Sequence, residues 1–589
     1  MPRALFLGTN PPARNDSPQA IMQAQTSRPD WRSLILIGTA GIVVYLTLIP
    51  VVMVIYGSFQ DGPPGTTTHF TLQNYVQAFS NSNLGRATLN SLIFALGGGS
   101  LAFSIGCALA WLTERTNTPF RGLIYGAVFT EIMIPGIIES ISLVLLFSPK
   151  IGLVNLALMS LFALKDPPFN VYSMGGMIWA FGTGSFTTAF LLIAAAFRSM
   201  DPSLEEAAIM SGSGVLQTLY QVTLRLISPA LLATWLLLFI RAVETFEEAA
   251  ILGLPAGITL LATEVYLSVR EVPTNYNLGA TFAMIYLAIA GAGLWLYFRA
   301  TRHAEKYAVI TGKGFRPFVM NLGRARYLSG FLALFILSLI LGLPVLVILY
   351  ASFLPWYGPP SASMFQLFSL DNYRWLITYE AILNALGNNL IVGLASASIC
   401  VFLTSIIAWI VIRTNIPGRK LLDALAFSPI AFPGMVFGLS LLWLYLTVPI
   451  PVYGTLWILL IAYVSKYMPI CMRACSAALT QVHKELEDAS LVSGASWWYT
   501  FSRVIVPLIL PGMFVGWVYV LTLSFKVLSL PVLLGHAGTE VIPVLIFDLY
   551  EGGQYTQLNA LGVAVVALVT TLTLLARRVS QRFSVAEIR

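Results

Sequence analysis

Charged side chains are scarce in this sequence. Asp, Glu, Lys and Arg make up 10% of the 589 residues, whereas hydrophobic residues make up 57%. A soluble domain carries about 25% charged residues, so the polar surface available here is too small to cover a soluble globule of this length. Together with a mean hydropathy of +0.79, this composition indicates an all-α protein that crosses a lipid bilayer many times.

Cysteine and histidine are equally scarce, with four of each. The cysteines lie in or beside apolar runs, which argues against a disulfide framework. Cys471 and Cys475 are four residues apart on one predicted helix, and a single pair of this kind is a poor metal site. The histidines form no pair at metal-ligand spacing, which disfavours a membrane-embedded enzyme. We therefore predict no catalytic residues and no metal ligands.

Apolar runs of about 20 residues, the length needed to cross a bilayer, occur twelve times. They lie at roughly 33–57, 89–112, 122–148, 176–197, 229–255, 278–299, 328–353, 384–412, 422–447, 453–477, 506–534 and 559–577. A further apolar run, 151–164, is too short to cross, and we interpret it as an interfacial or re-entrant helix.

Lys and Arg are concentrated on one side of these spans when the N-terminus is placed inside, as the positive-inside rule requires. We therefore predict that both termini are cytoplasmic, with a disordered tail at 1–32, a basic cytoplasmic linker at 300–327 and a short tail at 579–589. This topology accounts for the net charge of +7, and the charge gives no reason to expect a nucleic-acid partner.

The chain contains an internal repeat with a very long period. "LAWLTERTNTPFRG" at 109–122 corresponds to "IAWIVIRTNIPGRK" at 407–420, and Pro135-Gly136 corresponds to Pro433-Gly434, each pair being 298 residues apart. Farther along, the separation is 282, as between Pro229 and Pro511. The difference of 16 residues fits one insertion in the first half, where the short apolar run lies. We predict two tandem six-helix units, 33–299 and 328–578, in the same orientation.

Two charged stretches interrupt the apolar pattern at matching places, 203–229 and 485–511, and we call them the first and second docking segments. Each begins with acids at the start of a short helix, continues with small residues that permit close approach, and turns at a glycine. Both are predicted to lie on the cytoplasmic side, between the fourth and fifth helices of a unit. Their candidate contact residues are Glu205, Glu206, Ala207, Ala208 and Gly212, and Glu487, Asp488, Ala489 and Gly494.

The docking segments resemble the "EAA" loop of permease subunits of binding-protein-dependent ABC importers with the type I fold. The first copy matches that pattern at Glu206, Ala207, Ala208, Gly212, Leu224 and Pro229, with Arg225 where the family usually has proline. The second matches at Ala489, Gly494, Phe501, Pro507 and Pro511, with Asp488 in place of Glu and Ser490 in place of Ala.

This resemblance implies two fused permease units whose docking segments are coupling helices held by cytoplasmic ATPase subunits, used in two copies. It also implies an extracytoplasmic solute-binding protein and a bacterial inner-membrane location. ATP would be bound by the partner, and no cofactor by this chain. The only Gly-Lys pair, Gly312-Lys313, is followed by Gly314 and lacks the earlier glycine of a phosphate-binding loop.

A single chain with two permease units is most similar in plan to the ferric iron group, which makes ferric iron the expected solute. Thiamine, 2-aminoethylphosphonate and polyamines remain alternatives. A secondary transporter with twin six-helix halves is a remote alternative, which would lack paired docking segments and would work without ATP.

Ionisable residues inside spans are functional candidates. The predicted fifth span contains Arg241, Glu244, Glu247 and Glu248, and the repeat places Lys526 at the position of Glu244. Glu244 is expected either to pair with Lys526 or Arg241 as a structural lock, or to line the path of a cationic solute together with Glu247 and Glu248. The proline-glycine pairs in the third helices are expected to kink them, either to shape a cavity or gate or for packing alone.

Overall fold

The computed structural model describes residues 31–80, 82–201, 203–301 and 319–586, and these residues form helices joined by short connections, with no β-sheet among them. Residues 1–30 of the predicted tail at 1–32, residues 302–318 of the predicted linker and residues 587–589 of the predicted C-terminal tail lie outside the described residues. In the first half the helices are α1 Trp31–Ser58, α2 Gln73–Ser80, α3 Ser82–Arg115, α4 Arg121–Glu131, α5 Gly136–Phe147, α6 Leu153–Phe162, α7 Met174–Ser199, α8 Ser203–Met210, α9 Val215–Leu226, α10 Ser228–Glu244, α11 Ala249–Ala256, α12 Leu261–Arg270 and α13 Tyr276–Thr301.

The second half repeats this order. Its helices are α14 Ala325–Ser352, α15 Ala362–Gln366, α16 Asp371–Thr378, α17 Glu380–Arg413, α18 Arg419–Ala431, α19 Gly434–Thr447, α20 Leu456–Gln481, α21 Lys484–Val492, α22 Trp497–Ser524, α23 Pro531–Leu534, α24 Ile542–Glu551 and α25 Tyr555–Ala586. α6 has no counterpart here, and it lies where the repeat predicted an insertion.

Nine of the predicted spans are single helices that are long and apolar enough to cross a membrane. The described residues also contain four bent helix pairs, and counting each pair as one span gives thirteen. The predicted spans 122–148 and 422–447 are both broken. α4 and α5 meet at 104°, and α18 and α19 meet at 109°. The breaks fall at Pro135 and Pro433, each of which directly precedes the second helix of its pair, because proline offers no N–H to continue a helix.

The predicted span 229–255 is wrong at its C-terminal end. α10 stops at Glu244, where Thr245 becomes extended, and α11 and α12 follow with an 80° bend between them. At about 1.5 Å per residue neither of these short helices can cross a hydrocarbon layer of about 30 Å. α23 and α24 occupy the matching place in the second half, so the predicted span 506–534 also ends early, at Ser524. We interpret both pairs as re-entrant elements rather than additional spans.

The two units exchange their first helices. α1 packs against α18 and α19 of the second half, whereas α14 packs against α4 and α5 of the first. The α1–α19 contact is close, since a Cβ atom placed on Gly57 would lie 2.4 Å from the fully buried ring of Trp443. The largest buried apolar cluster consequently draws residues from both units.

Candidate functional site

Both docking segments have the same local structure. Two residues after α8 ends the chain turns at Gly212, and two residues after α21 ends it turns at Gly494, with φ of +90° and +87°. In each copy the glycine N–H donates to the carbonyl three residues earlier, and the following N–H donates to the carbonyl five residues earlier. This is the Schellman motif, and its left-handed position favours glycine because a side chain is strained there. The predicted turn at each glycine is confirmed.

The first acid of the first docking segment is buried. A terminal nitrogen of Arg115, Nη1, lies 3.3 Å from Oε2 of Glu205, and the Thr223 hydroxyl donates to Oε1 over 2.5 Å. The other terminal nitrogen of Arg115 donates to the carbonyls of Phe197 and Met200, at 2.6 and 3.2 Å, where α7 ends. Burial raises the pKa of the Glu205 carboxyl, and Thr223 and Arg115 partly oppose that rise. The arginine thus joins the ends of α3 and α7 to the base of the docking segment.

The second docking segment repeats this arrangement. Nε of Arg413 lies 3.6 Å from Oε2 of Glu487, and its Nη2 donates to the carbonyls of Leu479 and Val482, at 3.0 and 2.5 Å. The remaining oxygen of Glu487 accepts a 2.8 Å hydrogen bond from the Trp409 indole instead of from a threonine. We call these two networks the arginine clamps.

The arginine clamps change the expected role of two candidate residues. Glu205 and Glu487 face into their own units, so neither is available to touch a partner. Glu206, Ala207 and Gly212, and Asp488, Ala489 and Gly494, are exposed, and Ala208 is half-buried. The arginines were not singled out from the sequence, although Arg115 and Arg413 lie at matching positions of the repeated "RTN" stretch.

Exposed apolar side chains surround both docking segments. Met210 and Val492, which correspond in the repeat, are each 88% exposed, and Leu216 and Trp498 form a second exposed pair. These side chains lie outside the spanning helices or, as Trp498 does, at the first turn of one. Exposed apolar surface beside polar residues is typical of a contact with another protein.

A second cluster lies inside the membrane region, and we call it the seam. It comprises the breaks at 132–135 and 432–433 and the charged residues of both units around them, which are Glu131, Glu139, Glu244, Glu247 and Glu248 of the first unit and Lys466 and Lys526 of the second. Nζ of Lys466 forms an ion pair with Oε1 of Glu244 and also donates to the Phe432 carbonyl. The predicted lock between Glu244 and Lys526 is therefore wrong, and the partner of Glu244 is a different lysine of the second unit.

Lys526 has another role in the seam. Its ammonium donates to the carbonyl of Ile132, at the break that follows α4. Both broken third helices thus leave carbonyls without an intrahelical partner, and each is capped by a lysine from the second unit. The kinks predicted from the proline-glycine pairs contribute directly to the seam.

The other predicted path residues do not converge on one point. Arg241 donates to the Thr188 hydroxyl over 2.6 Å. Oε1 of Glu247 accepts the Leu528 N–H of the second unit at 3.1 Å, and the buried Glu248 accepts the Thr245 hydroxyl. Within the described ranges, no group of three or more His, Cys, Asp or Glu side chains is placed to hold a metal ion.

Two acids of the seam, Glu131 and Glu139, are not among the residues predicted from the sequence. Glu131 and Glu139 flank the first break, and they line a small cavity closed by apolar residues of α14. The carboxyl of Glu139 lies directly over α7, where a Cβ on Gly184 would approach its Oε2 to 2.2 Å. Their position inside the predicted span 122–148 was a signal that could have identified them.

Tandem bundles of membrane-spanning helices, with duplicated docking segments and a charged seam between the bundles, define a polytopic membrane transport protein rather than an enzyme. The family model described as "Binding-protein-dependent transport system inner membrane component" matches this chain twice, at residues 102–303 and 401–585. These matches cover more than half of the chain. The chain belongs to this family and is a fused two-unit permease subunit of an ABC importer.

Curated relatives have the same kind of role. A putative ferric transport system permease protein of Haemophilus influenzae is 26% identical over 85% of this chain and 77% of its own length. A ferric transport system permease protein of Actinobacillus pleuropneumoniae is 25% identical over 90% of this chain and 76% of its own length. A putative 2-aminoethylphosphonate transport system permease protein of Salmonella paratyphi A is 27% identical over 44% of this chain and 96% of its own length.

Among solved structures, the chain is similar to a bacterial ABC transporter involved in the import of the acidic polysaccharide alginate. That match has 18% identity and a TM-score of 0.35, and it covers 49% of this chain and 98% of the other.

Proposed function

We propose that this permease carries ferric iron across the bacterial inner membrane. The main support is that both ferric transport relatives align over at least 85% of this chain, across both units. The carboxyls of the seam give a second line of support, because hard multivalent cations prefer oxygen ligands.

In this proposal the docking segments face the cytoplasm, and each accepts one copy of an ATPase subunit that binds the ATP. The exposed faces around Gly212 and Gly494 are the contact surfaces, and the arginine clamps pass the motion to α3 and α7, or to α17 and α20. An extracytoplasmic binding protein delivers the solute at the opposite side. Closure of the ATPase pair then rocks the two units about the seam, which gives alternating access.

Uptake of radiolabelled ferric iron tests this assignment. A strain that lacks the gene should lose most of its ferric uptake, and the wild-type gene on a plasmid should restore it. Gly494→Pro provides the matched inactive variant, because it should insert in the membrane and yet block coupling. Ferric uptake that is unchanged in the deleted strain would contradict the assignment.

A 2-aminoethylphosphonate permease is the second candidate, because the Salmonella paratyphi A relative described as such a permease aligns over 96% of its own length. Arg241 supports it modestly, since an exposed guanidinium suits a phosphonate. The same strain pair, grown with aminoethylphosphonate as the phosphorus source, separates the two candidates. Thiamine and polyamines belong in the same screen, in which a defect restricted to one solute identifies the cargo.

A further inference from the structure

The two units contribute opposite charges to the seam. Five carboxyls come from the first unit and none from the matching positions of the second. Those acids are Glu131, Glu139, Glu244, Glu247 and Glu248, and their counterparts are Pro429, Phe437, Lys526, Ser529 and Leu530. The lysine at 466 likewise replaces Gly184 of the first unit. Since ionisable side chains inside a membrane are costly and functional, this one-sided distribution calls for a role that the pseudo-twofold repeat does not supply.

Lys466 is held as a bound cation would be held. Its ammonium contacts the carboxylate of Glu244 from one unit and the carbonyl of Phe432 from the other. That carbonyl is free because Pro433 breaks the helix immediately after it. The Lys466 side chain is 13% exposed, and that of Glu244 is 30% exposed. The carboxylate therefore keeps part of its surface uncovered.

A buried hydroxyl beside Lys466 on α20 has no hydrogen-bond partner. The Tyr467 hydroxyl, which follows Lys466 directly on α20, is buried and makes no hydrogen bond. The Tyr467 side chain is only 4% exposed. A buried hydroxyl without a partner is destabilising, and a bound ion that coordinates this oxygen would remove that cost.

We propose that the Glu244 carboxylate, the Phe432 carbonyl and the Tyr467 hydroxyl form a cation-binding site on the transport path, which the Lys466 ammonium occupies until a cationic cargo displaces it. The site binds its cargo only transiently, because it offers a single carboxylate and the tethered ammonium returns when the cargo leaves. The tether also closes the seam in the absence of cargo, since it joins α10 of the first unit to α20 of the second. This inference rests on the proposed function only in that the cargo must be a hard multivalent cation, whether or not it is ferric iron.

Terbium(III) provides a test that does not depend on the identity of the natural cargo. It is a trivalent, oxygen-seeking ion, and its emission is sensitised by nearby aromatic rings such as Tyr467. The purified full-length chain in lipid nanodiscs is titrated with terbium, and emission excited through tyrosine is recorded. Lys466→Met should bind terbium about tenfold more tightly than the wild type, because the competing ammonium is gone.

Three further variants make the expected result specific. Lys466→Arg keeps a cation in place and should resemble the wild type, as should Lys420→Met, which removes an exposed lysine elsewhere. Lys466→Met combined with Glu244→Gln should lose the added affinity. Size-exclusion chromatography of each variant checks that the chain remains folded.

Two outcomes overturn the proposal. One is terbium binding to a folded Lys466→Met chain that is no tighter than to the wild type. The other is added affinity that survives Glu244→Gln. Loss of ferric uptake in the deleted strain is measured separately, so terbium binding as expected with unchanged uptake refutes the ferric assignment and leaves the cation site standing.

Discussion

The two units of the repeat are alike at the arginine clamps and differ at the seam. At the clamps, Arg115 with Glu205 and Arg413 with Glu487 make the same contacts in both units, down to the carbonyls that the guanidinium caps. At the seam the matching positions differ in charge, as Glu244 and Lys526 do. A contact that forms within each unit uses the same residues in both copies of the repeat. A contact that forms between the two units can use a different residue from each.

The largest expected effect is at the arginine clamps. Arg115→Ala leaves the fully buried Glu205 without its counter-ion, and breaking a buried pair in this way costs about 3–5 kcal/mol. The first docking segment should detach from α3 and α7, so that co-purification of the ATPase falls and uptake drops more than tenfold. Arg413→Ala should have the same effect through the second segment, measured by pull-down and uptake at equal membrane levels.

Arg198→Ala is the matched control for this prediction. Arg198 also lies at the end of α7 and pairs with Glu114 at 2.7 Å, but its side chain is 60% exposed. Exposed pairs contribute about 0–1 kcal/mol, so ATPase binding should remain near the wild-type level. An Arg115→Ala variant that binds ATPase as well as Arg198→Ala does would mean that the clamp carries no coupling.

The seam should respond less strongly. Glu244 and Lys466 are partly exposed, and we expect a coupling energy of about 1–2 kcal/mol, between the values for surface and buried pairs. A double-mutant cycle with Glu244→Gln and Lys466→Met, scored by thermal unfolding in detergent, measures it. The exchange Glu244→Lys with Lys466→Glu should regain part of that energy, whereas Glu244→Lys with Lys526→Glu should not. Additive single effects would show that the ion pair does not hold the units together.

The contrast between clamps and seam also explains which features the sequence could predict. Apolar runs predict the straight helices well, and the repeat locates both docking segments. The ends of the fifth helices were not predicted because apolar residues continue beyond Glu248 and beyond Lys526, although the helices already end at Glu244 and Ser524. The repeat places Glu244 and Lys526 at matching positions, but it cannot choose their partners. The actual partner, Lys466, corresponds to Gly184, so the repeat contained no signal for it.

An effect about as large as that at the seam is expected at the two docking glycines, and it should be equal in both units. Gly212 and Gly494 have positive φ, and a Cβ at either position would meet nothing within 4 Å. Alanine therefore costs only the strain of the left-handed conformation, about 1–2 kcal/mol. Gly212→Ala and Gly494→Ala should each weaken ATPase pull-down by a similar factor, and asparagine, which tolerates this conformation, should weaken it less. If only one of the two alanine variants loses ATPase binding, the two docking segments do not contribute equally to that binding, despite their matching geometry.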